Sequence, residues 1–125
     1  MPSDLNPDLI MNIEELREYC LKKPGVSESM PFGDDTLVFK VADKMFALLN
    51  LDGEPGVNLK ADPEDVISLC ETYPSVTPGY HMSKKHWVTV NLDGSVKDGL
   101  ICKWIDNSYF LVAQNLTKKQ KENLK

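Results

Sequence analysis

Between Thr36 and Ala61 the chain offers three runs rich in Val, Leu and Phe: Thr36 to Val41, Lys44 to Leu51 and Gly56 to Ala61. Only Ala42-Asp43 separates the first two, and Asp52-Gly53-Glu54-Pro55 the second two. Linkers this short can form turns, but they cannot make the crossover of a dozen or more residues that parallel neighbours require. The stretch therefore predicts a meander of antiparallel strands, with Asp, Gly and Pro supplying the longer turn. Val76 to Tyr80 and His86 to Leu92 read as two more strands, and Asp93-Gly94 ends the second. Asn-Leu-Asp-Gly occurs at 50–53 and again at 91–94, which is recurring turn chemistry rather than an internal repeat.

Helical spacing brackets these strands. Asn12 followed by Glu15 has the form of a capping box, and Leu9, Ile13, Leu16 and Cys20 repeat at helical intervals. A helix is expected over 12–23, closed by Lys22 and Lys23 at its negative end and by Pro24-Gly25. Asp62-Pro63-Glu64-Asp65 predicts a second start, with an Asx N-cap, and Val66, Leu69, Cys70 and Tyr73 form the buried stripe of a helix over 63–73. Ile101, Trp104, Ile105, Ser108 and Val112 mark a third helix over 97–114, with Gly99 weakening its first turn. Thr117 and Gln120 suggest a further capping box before a short basic helix. The order is α-β-β-β-α-β-β-α. The expected fold is an α+β two-layer sandwich: one antiparallel sheet, helices on one face, and the other face at least partly open to solvent.

At 125 residues and 42% apolar content the chain can bury one core. A single domain over 12–125 is expected, preceded by a loosely held arm over 1–11 that contains two prolines and no steady period. No apolar run approaches the ~20 residues that cross a bilayer, and the N-terminus has neither the basic nor the apolar region of a secretory signal, so a cytoplasmic monomer is expected. Cys20, Cys70 and Cys102 are far apart and form no C-x-x-C pair; each falls on the apolar side of a helix and reads as a reduced, buried thiol. Net charge is −5 but uneven: residues 1–54 sum to −6 and residues 55–125 to +1. Such acidity opposes nonspecific nucleic-acid binding in general, although a local cationic patch escapes it.

One stretch is such a patch. From Thr72 to Leu92 there is no Asp or Glu, yet His81, Lys84, Lys85 and His86 occur there, interleaved with Tyr73, Tyr80 and Trp87. Cations can neutralise phosphate, and aromatic faces can stack on bases or sugars. The competing structural reading makes Tyr80 and Trp87 packing residues and Lys84-Lys85 a hydrated hairpin tip. Lys40, Lys44 and Lys60, on or beside the first three strands, would join the patch if the hairpins project the same way; otherwise they are edge lysines that discourage strand pairing. Lys118, Lys119 and Lys121 form a second basic cluster that reads as a hydrated helix end. His81 and His86 have no standard metal spacing, no glycine-rich phosphate motif occurs, and no nucleophile has an evident base. No metal, cofactor or enzymatic activity is expected.

Read together, Pro24-Gly25-Val26, Pro31-Phe32-Gly33, Phe39-Lys40, Lys44-Met45-Phe46-Ala47, Leu59-Lys60, Asp62-Pro63, Pro78-Gly79-Tyr80-His81-Met82, His86-Trp87 and Ser108-Tyr109 resemble the MmcQ/YjbR family over about residues 12–122. Pro-Gly-Tyr-His-Met followed by Lys-Lys-His-Trp is the most specific part. The arm and the Gly99-Leu100-Ile101-Cys102 start of the last helix depart from the family pattern, the latter by lacking acidic residues. The resemblance implies a two-layer domain similar to secretion-chaperone and frataxin-like folds. It also implies a family of poorly defined function for which DNA binding by two β-hairpin wings has been suggested. The nucleic-acid-binding set is then Lys40, Lys44, Lys60, Tyr80, His81, Lys84, Lys85, His86 and Trp87. The alternative is a protein-interaction or chaperone-like module that uses an open sheet face.

Overall fold

A computed structural model of the protein describes residues 13–51, 55–79 and 83–122. Its elements are α1 (Ile13–Leu21), β1 (Val26–Ser29), β2 (Thr36–Val41), β3 (Lys44–Asn50), β4 (Gly56–Lys60), α2 (Pro63–Thr72), β5 (Val76–Pro78), β6 (Trp87–Asn91), α3 (Asp98–Ala113) and α4 (Lys118–Glu122). All pairings are antiparallel, in the order β1-β2-β3-β4-β6-β5. The predicted meander and hairpins are therefore present, within a single α+β sheet-and-helix sandwich.

Two elements extend the expected order. One is β1, where Val26-Ser27-Glu28-Ser29 carries a single apolar residue, so it has no hydrophobic alternation to announce it. Backbone pairing to Phe39, Lys40 and their neighbours holds it in place, and its inward Glu28 meets the Arg17 guanidinium in a two-pronged bond, Nε to Oε1 at 2.6 Å and Nη2 to Oε2 at 2.5 Å. The other is α4, opened by the capping box read from the sequence: the Gln120 amide donates to Thr117 Oγ1 at 3.1 Å, and the Thr117 amide donates to Gln120 Oε1 at 2.9 Å. Asp62 does occupy the α2 N-cap position, but its side chain makes no capping bond; only its carbonyl joins the helix, accepting from the Val66 amide.

One sheet face carries the main core. Phe39, Leu49, Val57, Leu59, Val88 and Val90 meet Leu16 and Cys20 of α1, Val66 of α2, and Ile101, Ile105 and Val112 of α3. Burying an aliphatic side chain of this kind contributes about 1.5–3 kcal/mol, and this layer is where most of that gain is concentrated. Cys20 is fully buried; Cys70 and Cys102 are half-buried, less enclosed than the sequence reading expected.

The second face is closed more than expected. Val38, Leu48 and Trp87 form a separate cluster there, with Met45 packed against it, and Trp87 is only 9% exposed. Leu48 lies on β3 and Trp87 on β6, so the indole crosses β4 to reach it. The sheet thus has a core on one side and a small apolar roof on the other.

A β-bulge links these two layers. In the β2–β3 ladder Phe39 faces Ala47 and Lys40 faces Met45, which leaves Phe46 as the extra residue. Both Phe46 and Ala47 consequently join the main core, and Phe46 meets Tyr109 of α3 edge-on at 5.3 Å. The bulge also interrupts pairing with β4, whose ladder to β3 stops at Leu59. Ser108 fills the gap: the Lys60 amide donates to Ser108 Oγ at 2.8 Å, and Ser108 Oγ donates to the Phe46 carbonyl at 2.5 Å.

Candidate nucleic-acid interface

Strand direction decides which lysines can act together. β2 and β4 run toward the same end of the sheet as the start of β3 and β6, so the Ala42-Asp43 turn, the close of β4 and the 79–86 connection share that end. Lys40, Lys44, Lys60, Lys84, Lys85 and His86 all lie there. Asp34, Asp35 and Asp93 sit in connections at the opposite end, while Asp43, Asp62 and the first-turn acids of α2, Glu64 and Asp65, are the acids near the lysines. The charge of the molecule is polarised along its strands.

Cross-strand partners share a face. Lys40 faces Met45 and Lys60 faces Trp87, so both lysines belong to the helix-free face, Lys40 on the strand of Val38 and Lys60 on β4 between the strands of Leu48 and Trp87. Lys44 faces Val41, a main-core residue, and so falls on the helix side at the hairpin tip. Lys84, Lys85 and His86 are exposed in the connection before β6. The Lys84 ammonium donates to the Gly79 carbonyl at 3.4 Å, and the His86 carbonyl accepts from the Ala61 amide at 2.9 Å. Trp87 is packed rather than presented, leaving little of its ring for a base to stack on. Tyr80 and His81 lie outside the described residues. Lys40 and Lys60 thus share the helix-free face, while Lys84, Lys85 and His86 lie in the connection at the same end of the sheet and Lys44 at the adjoining tip.

Sequence inspection missed the composition of the whole face. The register places Ser27 and Ser29 of β1, Thr36 of β2, Asn50 of β3, Asn58 of β4, Thr77 of β5, and Thr89 and Asn91 of β6 on it, together with the two lysines and the apolar cluster. No strand position on this face is Asp or Glu, in a chain with 19 acids. The signal was present as alternation within each strand, but only the pairing register shows that these positions share a face. A cleft of about 360 Å³ opens at the cationic end, bounded by Lys60, Asp62, Ser83, His86 and Trp87 and by Gln114 and Asn115 at the end of α3.

Burial pushes the Cys20 thiol up to about 12, and burial also raises Cys70 and Cys102, so no described thiol is held as a ready thiolate. No group of three or more His, Cys, Asp or Glu side chains is placed to hold a metal ion among the described residues. No described helix is long and apolar enough to cross a membrane.

Comparison with known proteins agrees with this architecture. The YjbR family model matches residues 21–111. The uncharacterised protein YjbR of Escherichia coli strain K12 is 38% identical over 115 residues, covering 91% of this chain and 97% of that protein. The uncharacterised protein YbdF of Escherichia coli O157:H7 is 36% identical over 113 residues, covering 90% and 93%. A Deinococcus radiodurans crystal structure of domain DUF419 superposes with a TM-score of 0.85 at 40% identity, covering 92% of this chain and 88% of that one.

Proposed function

The chain belongs to the YjbR family, and for this member of it we propose binding to duplex DNA through the cationic end of the helix-free face, without catalysis. The observation that carries the reading is the gathering of Lys40, Lys44, Lys60, Lys84, Lys85 and His86 at one end of the sheet, where Lys40 and Lys60 lie on a face whose strands bear no carboxylate. The β2–β3 turn and the β5–β6 connection are separated by three strand spacings. At ~4.8 Å each that is about 14 Å, close to the ~12 Å width of the B-DNA major groove. Two hairpins at that separation can follow the phosphates on both walls of the groove. Serine, threonine and asparagine across the face can donate to further phosphate and sugar oxygens. Since Trp87 is packed, affinity would come from phosphate neutralisation rather than base stacking, and the net charge of −5 would keep it near the weak end of nonspecific binding, about 10⁻⁴ M at physiological salt.

Titrating the ¹⁵N-labelled protein with a short duplex at low salt tests this directly. Amide shifts are expected at Lys44, Lys60 and Lys84 to His86; if those signals stay fixed, the DNA reading is wrong. A protein-interaction role draws support from a different surface, because the apolar cluster of the helix-free face is already packed. At the acidic end Met30, Phe32 and Leu51 are exposed, Phe32 to 64%, next to Asp34 and Asp35. Shifts confined to residues 30–35 on addition of a basic peptide, with none at the lysines on addition of DNA, would favour that reading.

A further inference from the structure

A second concavity lies in the helix layer, adjoining the cationic end, with whose cleft it shares Lys60 and Ala61. α2 packs on β5 and β6, whereas α3 packs on β2, β3 and β4, so the two helices diverge over the sheet. Between them is a groove of about 280 Å³ whose apolar surfaces come from Leu59 and Val88 of the sheet, Leu69 of α2 and Trp104 of α3. Tyr73 and Trp104 meet edge-on at 5.2 Å, tying the end of α2 to the middle of α3. Side chains of opposite charge also line the groove: Asp65 from α2 and Lys103 from α3. Both are exposed, and neither takes part in the ion pairs found among the described residues, which join Arg17 to Glu28 and Lys23 to Asp106.

An apolar pocket with a few convergent polar groups is the common form of a small-ligand site. Here the two helix walls carry one anion and one cation together with Ser68 and Asn107, while Lys60 lines the groove from β4, where its pairing with Trp87 turns its side chain to the other face. We propose that this groove binds a small zwitterion with an apolar body, an aminocarboxylic acid, whose ammonium meets Asp65 and whose carboxylate meets Lys103 while its carbon chain lies against Leu69, Val88 and Trp104. A ligand with one charge leaves either Asp65 or Lys103 unpaired at the mouth, so both charges on one molecule make the better match. The volume suits a body of about six carbons. For about nine non-hydrogen atoms at a solvent-facing mouth, a dissociation constant in the millimolar range is expected.

Two arms distinguish the spacing of the charges: L-leucine, with both on one carbon, and 6-aminohexanoate, with the charges at opposite ends. Each is titrated into the ¹⁵N-labelled full chain, with hexanoate and hexylamine as single-charge controls, following the Trp104 indole N–H and the Leu69 and Val88 amides. Saturable shifts are expected with at least one zwitterion, with each control binding about tenfold more weakly. Asp65→Asn and Lys103→Gln, both exposed substitutions, are each expected to weaken the zwitterion about tenfold and to leave the controls that do not use the lost charge unchanged. Absence of a saturable shift with both zwitterions up to about 50 mM, or equal binding of zwitterion and single-charge controls, overturns the proposal. A failure to bind DNA would leave it standing, because Asp65 and Lys103 belong to the helix layer.

Discussion

Ser108 has two backbone partners and no exposure to solvent. Its hydroxyl stands where the Phe46 bulge has removed a direct contact between β3 and β4, accepting from the Lys60 amide and donating to the Phe46 carbonyl. Ser108→Ala would leave a buried donor and a buried acceptor unmatched, and chemical denaturation should show a loss of about 3 kcal/mol. Exchange of the Lys60 amide with solvent should quicken in the same variant; unchanged exchange would mean that the bridge does not hold the strand. In the sequence this serine was legible only as one member of the α3 stripe. Nothing in that pattern distinguishes a small filler from a bridging hydroxyl, because the bulge it serves lies 62 residues away.

Most elements were legible because their period and their punctuation agree. The Ala42-Asp43 turn was placed correctly, while its type was not read from the sequence: both residues have positive φ, 48° and 67°, which is the geometry of a type I′ hairpin. Alanine is a poor occupant, since the left-handed region costs an L-residue roughly 1–2 kcal/mol. Ala42→Gly should raise the urea midpoint by the equivalent of about 1 kcal/mol, with the slope of the transition unchanged. β1 was not legible, because its place depends on pairing with β2 and on a charge pair rather than on apolar alternation. The Arg17 guanidinium beside Glu28 holds that carboxyl below its usual range, first through the hydrogen bond and then through charge. A carboxyl depressed in the folded state lends stability above its unfolded pKa, and loses that contribution as pH falls through the folded value. The stability difference between the wild type and Arg17→Ala should therefore be present at neutral pH and shrink as the pH drops below about 4. A difference that persists undiminished at low pH would assign Arg17 a packing role instead. A second link ties α1 to α3: Lys23 bonds Asp106 and lies 4.9 Å and 5.5 Å from the ring centres of Tyr19 and Tyr109, and Tyr19 donates to Asp106 at 2.7 Å. These contacts fix the loop that leads into β1.

Over the whole molecule, the sheet separates two kinds of surface. Helices cover one face, and the other combines an apolar cluster with serine, threonine, asparagine and lysine. The sequence identified Lys84, Lys85 and His86 as a cationic segment because they are adjacent in the chain. It could not establish that Lys40 and Lys60 share a face with one another while Lys44 does not, since a one-residue bulge decides which side each residue takes. Nor could it choose between stacking and packing for Trp87, a single aromatic in a strand that serves either purpose until its neighbours are known. The packed indole shifts the account of DNA binding toward phosphate contact, which makes salt dependence the decisive observable. Anisotropy of a labelled duplex should be measured between about 20 and 150 mM salt for the wild type and for the Lys84→Gln, Lys85→Gln double variant. If four or five lysines meet phosphates, the logarithm of affinity should fall against that of salt with a slope of about −4, and the double variant should be shallower by about 2. A wild-type slope near zero, or a double variant with the wild-type slope, would contradict binding through this end of the sheet.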